Sequence, residues 1–238
     1  MRKQLVHQNR KLSYQILGEN HPLPVVLVHG FCEDASIWRL VAEDLSKIYK
    51  VILPDLPGFG GSESWFDMSI EDMAQSLKAI IEDAVIYNPV IIGHSMGGYV
   101  ALSYAKLFEN ASSGLGLFHS TAKPDSEEKK ENRLKTAAFI QDNGTTAFSK
   151  VLVPTLYASE YATDAMIEEA VNIGSACTID GLVHATLAMR KRADSTEVLE
   201  KYIKPTLIVS GRFDAGIPVE TSANQASLPN ICSFEILE

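Results

Sequence analysis

The stretch Val90-Ile91-Ile92-Gly93-His94-Ser95-Met96-Gly97-Gly98-Tyr99-Val100 carries the clearest chemical signal in this chain. An apolar run leads into G-x-S-x-G and a helical pattern follows at once, which is the setting the motif requires. A serine at so sharp a strand-to-helix turn is strained in its backbone, and its hydroxyl points away from the sheet. Gly93 and Gly97 lack a Cβ, so neighbouring chain can come close to the turn. The helix that starts here leaves N–H groups unpaired, and its dipole favours negative charge. The Met96 N–H is therefore well placed to stabilise an oxyanion. The chemistry these residues suggest is attack by Ser95 on a carbonyl carbon, with a covalent acyl intermediate. An ordinary serine in a glycine-rich turn is the competing reading; the flanking strand and helix favour the nucleophile.

The elements that must position this serine can be read from hydropathy. Short apolar runs at 25–28, 51–53, 90–92, 115–118, 206–209 and 232–237 alternate with helical stretches near 38–48, 69–86 and 98–108. Apolar strands separated by amphipathic helices predict parallel strands buried on both faces, a doubly wound α/β sheet. Sites in such sheets lie beyond the carboxyl ends of the strands, which is where Ser95 falls. Segments 4–8 and 11–17, flanking Asn9-Arg10, predict an antiparallel hairpin at the start of the sheet. Between 118 and 206 the alternation breaks into helical stretches at 126–143, 145–152, 163–176 and 179–191. One helix is enough for a crossover. The surplus predicts a helical cap, or lid, at 122–193, inserted into a core of 1–121 and 194–238. Extra packing with no gating role is the alternative.

Three further motifs give the chain its resemblance to the α/β-hydrolase fold family, in its serine-nucleophile, carboxylesterase- and lipase-like branch. His29-Gly30-Phe31 follows the first parallel strand; the resemblance implies that the Phe31 N–H is the second oxyanion donor beside Met96. Asp55-Leu56-Pro57-Gly58-Phe59-Gly60-Gly61-Ser62 looks like the family's D-x-P-G-x-G-x-S loop. Gly211-Arg212-Phe213-Asp214-Ala215-Gly216-Ile217-Pro218 resembles the G-x-x-D-x-x-x-P turn, which makes Asp214 the acid of a catalytic triad. The competing readings are a phosphate-binding loop at 55–62, which lacks the G-K-[ST] ending, and a turn-forming aspartate at 214. His29 is read as a packing and hydrogen-bonding residue. His94, next to the nucleophile, points elsewhere.

In this family the triad order is Ser, Asp, His, with the histidine after the last strand. No histidine follows His184 here. Without a base a serine hydroxyl is a poor nucleophile, and loss of one triad member costs about 10⁴–10⁶ in rate. Three explanations stay open. The C-terminal end is truncated before the catalytic loop; or another histidine substitutes, His119 first and His184 second; or the protein is a receptor-like binding module that has lost catalysis.

The resemblance implies a serine hydrolase acting on a carboxylic ester or related acyl bond of a small molecule, with C–C bond hydrolases and cofactor-free haloperoxidases as further members. It implies no cofactor. The serine does not suit relatives that open epoxides or displace halide with a carboxylate. Bulk properties agree with a globular enzyme. The 238 residues fit one large α/β domain. A net charge of −9 disfavours nucleic acid and anionic lipid as partners. Cys32, Cys177 and Cys232 form neither a disulfide framework nor a metal motif. No apolar run reaches the ~20 residues of a membrane span, and the amino terminus lacks the apolar core of a signal peptide, so the expectation is a cytoplasmic protein. The oligomeric state is not legible.

Overall fold

A computed structural model describes residues 2–238. Eight strands form one sheet in the order β1-β2-β4-β3-β5-β6-β7-β8. β1 (Arg2–His7) and β2 (Arg10–Leu17) make the expected hairpin. Its turn is Gln8-Asn9, not Asn9-Arg10: both residues are left-handed, with φ of 49° and 60°, and Arg10 already pairs with His7. Two left-handed central residues match the twist of the flanking strands. β2 runs antiparallel to β4 (Lys50–Asp55). From there the sheet is parallel: β3 (Pro24–Val28), β5 (Val90–His94), β6 (Gly114–Phe118), β7 (Thr206–Gly211) and β8 (Cys232–Leu237).

Strand alternation fills two cores, one on each face of the sheet. Val26, Val28 and Ile52 point into one, with Leu77, Ile80 and Val100 from helices. Val25, Leu27, Val51 and Leu53 point into the other, with Trp38 and Ala42. Residues apolar at every position, not every second one, are what a sheet covered on both sides needs.

Helix α1 (Arg39–Leu45) follows a 3-10 turn at Ala35–Trp38. Helix α2 (Ile70–Asp83) starts at a capping box: Ser69 Oγ accepts from the Asp72 N–H at 3.0 Å, and Asp72 Oδ2 accepts from the Ser69 N–H at 2.8 Å. Its buried residues Ile70, Met73, Leu77, Ile80 and Ile81 recur at helical spacing. Helix α3 (Met96–Leu107) begins at Met96, ahead of the expected residue 98, because the Ser95 carbonyl already accepts from the Gly98 N–H.

Between β6 and β7 lies a helical excursion of α4 (Glu127–Leu152), α5 (Asp164–Ser175) and α6 (Ile179–Lys191). Gly144, at φ 80° and ψ 172°, breaks α4 into 127–143 and 145–152. Two short polar helices, α7 (Thr196–Lys201) and α8 (Val219–Ala226), carry too little apolar pattern to be seen in the sequence. Among the described residues no helix is long and apolar enough to cross a membrane.

Helix α6 meets the 55–62 loop glycine to glycine. A Cβ added at Gly181 would collide with the Gly58 carbonyl, a backbone group that cannot rotate away. Gly181→Ala is therefore expected to lower the unfolding free energy by about 1–3 kcal/mol. The urea midpoint, read at unchanged slope, checks it.

Candidate active site

Ser95 sits between β5 and α3 with φ 49° and ψ −112°. Such a backbone costs about 1–3 kcal/mol and persists only when its surroundings over-determine it. Here they do. The Ser95 N–H donates to the Phe118 carbonyl at 2.9 Å. Its own carbonyl accepts from the Gly98 N–H at 2.9 Å and from Ser120 Oγ at 2.7 Å. A Cβ at Gly93 would run into the Gly97 backbone, so the turn closes only on glycine. The serine is half-buried, and its side chain makes no capping hydrogen bond to α3.

The loop after β3 passes directly against this turn. A Cβ at Gly97 would stand 2.6 Å from the His29 carbonyl oxygen. That contact brings the segment carrying Phe31 to the start of α3, where Met96 lies. The Phe31 ring is wedged edge-on between Phe59 and Phe148, at centroid distances of 6.3 and 5.9 Å. His29 is fully buried. Its Nε2 accepts from the Leu56 N–H at 2.9 Å and its Nδ1 donates to the Gly30 carbonyl at 2.8 Å. Burial holds its pKa below the usual imidazole value. Both nitrogens are committed, so this ring is no proton carrier. The 55–62 loop is tied to its own frame: Asp55 accepts from the N–H groups of Ala35 and Gly61, and Ser62 Oγ donates to the Asp55 carbonyl.

Glu33, unremarked in the sequence, joins the two halves of the site. Its Oε2 accepts from the Gly30 N–H at 2.7 Å and from His94 Nδ1 at 2.9 Å. One carboxylate thus links the loop bearing Phe31 to the residue before Ser95. Burial opposes charge on both partners, but their mutual attraction outweighs it. His94 is held above its usual pKa and Glu33 below its own.

Asp214 and His119 come together although 95 positions apart. His119 ends β6 in a left-handed conformation, φ 48°, its N–H on the Val209 carbonyl. Its Nδ1 lies 3.0 Å from Asp214 Oδ2. Asp214 Oδ1 accepts from the N–H groups of Gly216 and Ile217 at 2.8 and 2.9 Å. Burial works to raise the carboxyl pKa, but the His119 bond and the two N–H donors hold it low, so it is ionised at neutral pH. The His119 and His94 rings stand 6.1 Å apart. His184, the other candidate base, lies on α6 against the exposed Phe66, at 5.7 Å, and does not join this group.

Two further residues support the turn. Ser120 holds the Ser95 carbonyl, and Gln225 on α8 bridges the Ser120 carbonyl and the Ala122 N–H. Ser120 could have been suspected from its place at the end of an apolar strand; no local signal marks Gln225 or Glu33.

Comparison with known proteins agrees with this architecture. Residues 24–115 match the family model for the alpha/beta hydrolase fold. A thermophilic esterase from Thermogutta terrifontis superposes with a TM-score of 0.93 at 31% identity, over 100% of this chain and 89% of that one. The enol-lactonase of Burkholderia xenovorans shares the fold, with a TM-score of 0.92 at 20% identity over 99% and 91% of the two chains. The dihydrolipoyllysine-residue acetyltransferase component of an acetoin cleaving system from Pseudomonas putida is 28% identical over 215 residues, 88% of this chain. The chain spans 56% of that relative's length. This chain belongs to the α/β-hydrolase fold family.

The Glu33–His94 pair has a defined pH window. The carboxylate's contribution is present above the ordinary value of 4.5 and fades as pH falls through its lowered folded value. The imidazole's contribution is present below the ordinary 6.5 and fades as pH rises through its raised folded value. The stability gap between wild type and Glu33→Gln in urea is expected to be widest between pH 4.5 and 6.5 and to narrow as pH rises through the raised His94 value. An NMR titration should place the His94 pKa lower in the variant.

Proposed function

We propose that this chain is a serine hydrolase that cleaves a carboxylic ester or related acyl bond of a small molecule through an acyl-enzyme on Ser95. The observation that carries the reading is the strained, half-buried Ser95 at the end of β5, with the Asp214 carboxylate at the end of β7, two strands away. Ser95 Oγ attacks the carbonyl carbon as an imidazole takes its proton. The N–H groups of Phe31 and Met96 receive the oxyanion. The protonated imidazole then gives its proton to the leaving group, and water resolves the acyl-enzyme by the reverse sequence. The esterase likeness at 31% identity supports an ester as substrate, and the acetyltransferase relative is in keeping with acyl transfer. The segment 122–193 serves as the cap, its Phe148 resting on Phe31. Three unpaired cysteines are in keeping with work in the cytoplasm.

Within these residues the imidazole on Asp214 is that of His119, which makes it the base.

A fluorophosphonate probe should label Ser95 in the wild type and leave Ser95→Ala unmodified; an unlabelled wild type that still binds small ligands points instead to a receptor on this scaffold. Asp214→Asn should lower kcat on p-nitrophenyl esters by about 10³–10⁴. His119→Ala tests the base: a loss of similar size assigns the role to His119, and retained turnover rules it out.

A further inference from the structure

The two ends of the helical excursion meet at a buried ion cluster that the chemistry at Ser95 does not use. Asp125, just ahead of α4, has a fully buried side chain. Its Oδ2 accepts from Arg133 Nε on α4 at 3.1 Å, and its Oδ1 lies 2.8 Å from Nη1 of Arg192, the residue that ends α6. Arg192 is itself buried. Its Nη1 donates to the Met189 carbonyl and its Nη2 to the Lys123 carbonyl, both at 3.0 Å. Its guanidinium lies over the ring of Tyr99 on α3, 4.1 Å from the centroid. One guanidinium therefore joins the entry of the excursion, its exit and the helix that begins at Met96.

From the entry the ties run on to the serine. The Ala122 carbonyl accepts from the Ser195 N–H at 2.9 Å. Gln225 holds the Ala122 N–H and the Ser120 carbonyl, Ser120 Oγ donates to the Ser95 carbonyl, and His119 reaches Asp214. Residues 119–125 thus form a strap, pinned to Ser95 and Asp214 at one end and to Arg192 at the other. Stability alone is a poor reason for such a cluster. Burial opposes the charge on Asp125, and the two guanidiniums hold its carboxyl low against that cost. A buried ion network is often no more stable than apolar side chains of similar volume. What it adds is direction, because a planar guanidinium fixes its acceptors at set angles.

We propose that Asp125 and Arg192 are positioning residues for the chemistry at Ser95. Their pair sets where the strap and α3 lie, and through Ser120 and Tyr99 it holds the serine turn in place against His119 and Asp214. The positioning stands on these contacts alone; its effect on turnover rests on the acyl-transfer reading of Ser95.

The test compares two variants of the full chain with wild type. Arg192→Lys keeps the positive charge beside Asp125 but lacks the planar fork. Asp125→Leu/Arg192→Met removes both charges of the pair together, and Arg133 keeps access to solvent. Each is followed by its urea midpoint, by kcat and KM for p-nitrophenyl acetate, and by amide hydrogen exchange read by mass spectrometry. Both variants should unfold cooperatively and keep the wild-type KM. Their kcat should fall by about 10- to 100-fold, the scale of a ~1 Å displacement of a catalytic group. Exchange should quicken in peptides covering 95–98 and 119–125 and stay unchanged in β4, the internal reference. Wild-type kcat in either folded variant, or unchanged exchange at 95–98, overturns the proposal. Exchange that quickens equally in β4, or variants that cannot fold, assign the cluster to stability and overturn it as well. A wild type without turnover overturns the acyl-transfer reading, and the exchange result still decides whether the pair positions the serine turn.

Discussion

The left-handed backbone of Ser95 is the constraint around which the rest is arranged. A residue with a Cβ is held there only if the chain on either side has nowhere else to go. Strand β5 supplies one anchor through its pairing with β6, and the Ser95 N–H extends that pairing onto the Phe118 carbonyl. Helix α3 supplies the other by capturing the Ser95 carbonyl at once. The glycines at 93, 97 and 98 are the sterically necessary counterpart, since a Cβ at each would meet backbone or the Ser120 side chain.

Everything else proposed for catalysis is referred to that turn. The loop after β3 is pressed against Gly97, and Glu33 fastens the same loop to His94 by a half-buried, charge-assisted pair. Burying a carboxylate is costly unless it is paired and its lone pairs are used. Glu33 is paired with His94 and its Oε2 takes two donors, which ties the loop to the elbow. On the other side, Asp214 draws two backbone N–H groups and one imidazole to itself, so the carboxylate is charged and oriented before any substrate arrives. The helical excursion adds Phe148 to Phe31 and Gly181 to Gly58. Both contacts are made to loops that follow the carboxyl ends of strands, β3 and β4.

Much of this was legible in the chain itself. Runs of unbroken apolar residues can be buried only from both sides, so the parallel sheet followed from hydropathy. The glycines around Ser95 have one steric use, and the elbow followed from them. Gly144 marked the break in α4 because it lies outside helical backbone there. The helices α7 and α8 were invisible for a different reason: they are short, and the residues α8 buries, Ser222 and Gln225, are polar. The hairpin turn was misplaced by one residue because register depends on pairing across strands, and Arg10 belongs to the ladder.

The sequence by itself determined the class of the sheet, through apolar runs spread from 25 to 237, and the position of the serine turn, written within a dozen neighbouring residues. Only the tertiary structure decided which distant groups meet: Glu33 with His94 and His119 with Asp214. Local sequence carries backbone preference and burial pattern, whereas a contact between side chains far apart depends on strand order, register and the exit angle of each loop. Those are settled when the two cores close, by packing that no single segment encodes.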